Sequence, residues 1–178
     1  LRSECQRMGE LIDDMLNLSR VGRTEIKPDK VDLSAVANRI VTRLREENPE
    51  RNITFVIAPG LTCRGDEHLL EIVLTNLLTN ACKFTGKKEA ARIEFGSTDD
   101  HNEPAFFIRD NGIGFDMAYA GKLFGAFQRM HKFSEFPGNG IGLATVKRII
   151  HRHGGRVWAD SQPDHGTTIF FTIKEETS

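Results

Sequence analysis

The chain has 178 residues, 39% of them hydrophobic and 28% charged, with a formal net charge of −1. That composition suits one globular domain with an appendage, and the net charge argues against a general nucleic-acid binder, which would need a local basic stripe. Cys5, Cys63 and Cys82 are widely spaced with no C-x-x-C pair, which points away from a disulfide framework or zinc site and toward a reducing, cytoplasmic setting.

No apolar run approaches the roughly 20 residues needed to span a bilayer, so no membrane contact is expected. The chain opens at Leu1, inside a helical pattern, and reads as a piece of a longer protein. Over residues 1–20, Leu1, Cys5, Met8, Ile12 and Met15 recur in steps of four and three. This is a heptad seam, widened by Leu11, Leu16 and Leu18. An amphipathic helix lying on its own domain has the same pattern. A connector carrying Gly22 and Pro28 is expected to isolate this helix, which is too short to stand alone in water.

Residues 31–33 read as a short strand entering a helix over 34–47, with Val36, Ile40, Val41 and Leu44 as its buried stripe and Pro49 as its stop. Residues 52–58 read as a strand closed by Pro59 and Gly60. Asp66 can cap a long helix running to about residue 84. Residues 92–97 and 105–109 look like a hairpin. A long segment, 116–139, follows with one short helical piece expected at 121–127, and its length suggests function or mobility. A helix over 142–153, stopped by Gly154, and strands at 156–159 and 167–173 complete the chain. The order predicts an α+β fold, a two-layer α/β sandwich with helices on one face of a mixed sheet and one amphipathic helix in front.

Four stretches carry chemistry. The apolar run 105–108 leads into Asp-Asn-Gly-Ile-Gly-Phe-Asp at 110–116. Asp110 sits at a strand exit, and Gly112 and Gly114 allow backbone to come close to a bound group. A hairpin turn would use the same residues. On the long helix, Asn76, Asn80 and Lys83 share one stripe while Leu74, Leu77, Leu78 and Ala81 face inward. Two carboxamides and an ammonium in file suit a hard cation and a phosphate. Surface filler is the alternative, although Asn is a mediocre helix former. Gly138, Gly140 and Gly142 alternate into a helix start, where free N–H groups favour an anion. Their spacing is neither the Rossmann fingerprint nor a P-loop, and a flexible loop is the plain alternative. Gly166 and Thr167 open a strand, a weak signal alone.

Together these stretches resemble the ATP-binding catalytic domain of two-component sensor histidine kinases. Residues 76–85 are similar to the family's N box and 110–116 to its first glycine box. Residues 123–131 resemble the phenylalanine box, 138–143 the second glycine box, and 166–167 the third. Five motifs in the family's order cover residues 31–174. Residues 1–22 look like the second helix of the dimerisation and phosphotransfer hairpin, 23–30 a linker and 31–178 the ATP-binding domain. The subclass most resembled has PAS- or phytochrome-type sensors.

The resemblance implies roles. Asp110 would accept from the adenine amine with Thr167 nearby, Phe84 would pack near the base, and Ile113 would lie between the two glycines facing it. Asn80 would hold Mg²⁺ bridging the phosphates, Lys83 would contact a phosphate, and Asn76 lines the same site. The second glycine box, with Ile141 and Leu143, would give N–H groups to the phosphates, and Arg129 would reach the γ-phosphate. ATP, a response-regulator receiver domain and a second copy joined through the hairpin bundle are the implied partners. Related ATPases (gyrase, the Hsp90 chaperones, MutL) carry Glu at the position of Asn76, where it activates water. An amide cannot take that proton. None of the six histidines is followed by Glu, so the phosphoacceptor is expected outside this chain. An ATPase of the same fold and a non-catalytic binding module are the other readings. His151 and His153, in the last turn of a helix where cationic character is favoured, receive no ligand role.

Overall fold

Two aspartates start two of the helices. Asp32 accepts the N–H of Ala35 at 2.9 Å, and Asp66 accepts that of Leu69 at 3.1 Å. The computed structural model describes residues 2–23, 25–100, 103–128 and 138–174. Its helices are α1 (Arg2–Val21), α2 (Leu33–Glu47), α3 (Glu67–Phe84) and α4 (Gly142–Arg152). Its strands are β1 (Asp29–Asp32), β2 (Ile53–Ile57), β3 (Thr62–Gly65), β4 (Ala91–Asp100), β5 (Glu103–Asp110), β6 (Val157–Gln162) and β7 (Gly166–Phe171).

The main sheet runs β2-β4-β5-β7-β6, with β2 parallel to β4 and the other pairs antiparallel. Helices α2, α3 and α4 cover one face of this mixed sheet. The stripe Val36, Ile40, Val41 and Leu44 of α2 is buried, as are Leu74, Leu77, Leu78 and Ala81 of α3. They meet Ile93, Phe95, Ile108 and Phe171 from the sheet. On the opposite face Phe107, Phe170 and Trp158 form a row. The guanidinium of Arg109 lies 5.0 Å from the Phe107 ring centre, and that of Arg156 lies 4.4 Å from Trp158.

Three local features differ from the sequence reading. β3 was not expected: it pairs antiparallel with β1, Val31 opposite Cys63, in a small separate sheet. The short helical piece is a 3₁₀ turn at Met117–Lys122 rather than 121–127, because Asp116 caps it by accepting the N–H of Ala118 at 2.9 Å. The connector does not hold α1 apart. Val21 is buried, its carbonyl accepts from Arg152, and α1 lies along α4. Among α1's described apolar residues, Leu11 and Leu18 are half-buried, while Met8, Ile12, Met15 and Leu16 stay exposed.

Candidate functional site

The helical repeat of α3 and the two-residue repeat of β5 and β7 bring polar groups to one cavity of about 320 Å³. From α3 come Asn76, Asn80, Lys83 and Phe84. From the end of β5 and its loop come Asp110, Ile113 and Gly114, and from β7 comes Thr167. Gly138, Gly140, Ile141, Gly142 and Leu143 supply the wall leading into α4. Of the residues singled out from sequence, Gly112 does not line the cavity. Its N–H instead donates to Asp110 Oδ1 at 2.8 Å. Arg129 lies outside the described residues.

One wall is acidic. Asp110 and Thr167 stand opposite each other on β5 and β7, and Ile108 and Ile169 pair one step further along the same face. Asp110 is only 8% exposed. Burial pushes its carboxyl up to about 6, and N–H groups of Gly112 and Thr167 hold it from rising further. The loop after it crosses close to the β6–β7 turn. Gly114 has φ +58°, and a Cβ there would lie 2.0 Å from the carbonyl oxygen of Gln162.

The other wall is lined with glycine. Asn76 Nδ2 donates to the carbonyl of Ile72 at 2.9 Å, which turns its Oδ1 toward the start of α4. A Cβ at Gly142 would lie 2.5 Å from that oxygen, so the glycine lets the two helices meet. The Lys83 ammonium sits 4.6 Å from the Phe84 ring centre, and a Cβ at Gly138 would lie 3.1 Å from it. No side chain caps the N-terminus of α4, and its first turn holds no acidic residue. Such an end offers N–H groups and a partial positive charge to an anion.

The end of α3 is fastened from outside the cavity. Arg51 donates to the carbonyls of Cys82 at 2.6 Å and Thr85 at 2.9 Å, and the carbonyl of Phe84 accepts the N–H of Ile113 at 3.1 Å. The positions of Lys83 and Phe84 are thereby tied to the loop after Asp110. At the far ends of the helices, His153 is buried. Its Nε2 accepts the N–H of Asp66 at 3.1 Å, so the proton is on Nδ1, which faces the Ile149 carbonyl at 2.8 Å.

Sequence reasoning missed several lining residues. Ile108 and Ile169 were legible in principle, since each lies two residues from a polar residue already chosen. Asp14 carried no local signal. It reaches the cavity from α1, where it accepts from Asn139 Nδ2 at 3.0 Å. A mostly apolar cleft with a few convergent polar groups is suited to a small organic ligand. Here an amine can meet Asp110 and an anion the glycine wall.

Residues 65–177 match the family described as histidine kinase-, DNA gyrase B- and HSP90-like ATPases. The chain belongs to this family. Among its relatives, the methanogenesis regulatory histidine kinase FilI of Methanothrix harundinacea is 38% identical over 94% of the chain and 19% of its own length. Cyanobacterial phytochrome B of Nostoc is 34% identical over 96% of the chain and 23% of its own length. The chain thus spans about a fifth of the length of these relatives. The solved structure of full-length ShkA in complex with AMPPNP has a TM-score of 0.78 at 25% identity, covering 97% of this chain and 36% of that one. Fold and relatives are those of the ATP-binding domain of a sensor histidine kinase. No helix among the described residues of this family member is long and apolar enough to cross a membrane.

Proposed function

We propose that this chain binds Mg·ATP and presents the γ-phosphate to a histidine outside it, for relay to an aspartate of a response-regulator receiver domain. The observation that carries this reading is the single cavity joining a buried carboxylate to an amide-bearing helix and a glycine-lined helix start. Asp110 accepts from the adenine amine, with Thr167 beside it and Phe84, Ile113 and Gly114 near the base. Lys83 and the N–H groups over residues 138–143 take the phosphates, and Arg129 reaches the γ-phosphate.

The donor set fits Mg²⁺ carried in with the nucleotide. Among the described residues no three His, Cys, Asp or Glu side chains gather to hold a metal by themselves. Asn80 would offer the ion a neutral oxygen, with phosphate oxygens and water as its other ligands. When bound, the ion neutralises phosphate charge as the phosphoryl group leaves. Asn76 positions rather than activates, because its amide cannot accept a proton from water. This favours an external nucleophile over hydrolysis. In the longer protein the apolar stripe of Met8, Ile12, Met15 and Leu16 would join a second copy in the hairpin bundle.

Calorimetry with Mg·ATP tests the reading. Asp110→Ala should remove a charged hydrogen bond of about 1.5–3 kcal/mol, roughly 10- to 150-fold in affinity. With γ-labelled ATP the chain alone should stay unlabelled. An acid-labile label on it would place the acceptor here, and ATP turnover abolished by Asn76→Ala would make it an ATPase instead.

A further inference from the structure

Ser161, on β6, lies behind the acidic wall, and its hydroxyl makes three contacts. It accepts the N–H of Phe115 at 2.9 Å, donates to the carbonyl of Gly166 at 2.9 Å, and lies 2.9 Å from Thr167 Oγ1. A serine hydroxyl has one proton and two lone pairs. The Gly166 carbonyl can only accept, so it takes the proton. The Phe115 amide can only donate, so it takes one lone pair. The Thr167 hydroxyl is left to donate its own proton to the other.

Thr167 lines the cavity and Ser161 does not. With its proton turned toward Ser161, Thr167 Oγ1 shows the cavity lone pairs alone. The N–H of Thr167 is engaged by the Asp110 carboxylate. Asp110, when ionised, also only accepts. The wall therefore offers acceptors and no side-chain donor.

We propose that Ser161 is a positioning residue for base selectivity: by holding Thr167 as an acceptor, it matches the wall to a purine with a 6-amino group and turns away one with a 6-oxo group. This rests on reading the cavity as a purine nucleotide site. Two acceptors can each take an N–H of an amine, whereas a carbonyl oxygen would face lone pairs with nothing to bond. Without the serine hydroxyl, Thr167 is free to rotate and donate to that carbonyl.

The test is calorimetry of ATP and ITP on the full chain, in wild type and Ser161→Ala. Wild type should prefer ATP, and Ser161→Ala should lower the ATP/ITP preference about three- to tenfold, the size of one neutral hydrogen bond. Thr167→Val should lower it similarly, and Ser161→Ala added to Thr167→Val should lower it no further. A merely structural role for Ser161 would weaken both nucleotides equally; an unchanged ratio, or a further drop in the Thr167→Val background, overturns the proposal. A wild type that binds neither nucleotide overturns the nucleotide-site reading along with it.

Discussion

Asp110 is a carboxylate held where solvation is poor, and the cost has a sign that can be measured. Its folded-state pKa, about 6, lies above the ordinary 3.8. The native state therefore holds this proton more tightly than the unfolded chain does. The stabilisation from that proton is complete below pH 3.8 and is lost as pH rises through about 6. Asp110→Asn should thus raise the stability of the ligand-free protein at pH 8, by about 1–3 kcal/mol in thermal or urea unfolding. Binding should run the other way. Adenosine, which has no phosphate to titrate, should bind up to about tenfold more weakly at pH 5 than at pH 7.5, since the ionised carboxylate accepts from its amine far more strongly than the protonated acid does. In Asp110→Asn that pH dependence should vanish. A wild-type affinity flat across this range would mean that the carboxylate does not meet the base.

Elements decide how far apart the two walls stand. α3 and α4 touch where Asn76 Oδ1 occupies the space a Cβ would take at Gly142. Gly142→Ala should leave unfolding stability within about 1 kcal/mol, since the displaced atom ends a side chain and Ala is the better helix former. The same change should reduce Mg·ATP affinity about tenfold by pushing Asn76 toward the phosphates, as read by calorimetry. Much at this scale was legible in sequence. The three-and-four spacing of Asn76, Asn80 and Lys83 requires one helix face, and Asp66 marked that helix's start. β3 was not legible: Thr62–Gly65 is four residues without an apolar run, and its partner β1 lies far back in the chain. The displaced 3₁₀ turn came from reading Gly121 as a beginning when the cap was Asp116.

For the whole molecule, the question is how α1 sits on the rest. Its end is anchored at α4 by buried Val21, Leu11 and Leu18 are half-buried, and Met8, Ile12, Met15 and Leu16 stay exposed. Val21→Asp should strip hydrogen-exchange protection from α1 while that of α3 is unchanged, because an ionised side chain cannot be left in that contact. Ile12→Glu, at a position 53% exposed, should change the unfolding free energy by no more than about 0.5 kcal/mol. The reverse pattern would mean that the heptad seam is the docked side. Docking also gives α1 a voice at the cavity, through Asp14 and its bond to Asn139.

The residues themselves determined the order of elements apart from β3, the inward stripes and the motifs, because helical and strand periodicity, caps and glycine spacing act over a few neighbouring positions. Which motifs share a cavity was decided by strand pairing across the chain, as where Asp110 comes opposite Thr167. Three facts needed the fold: the buried state of Asp110, the hydrogen-bond partners of His153 and the approach of Asp14. Solvation, hydrogen-bond direction and contact between distant segments depend on surroundings that no short stretch of chain contains.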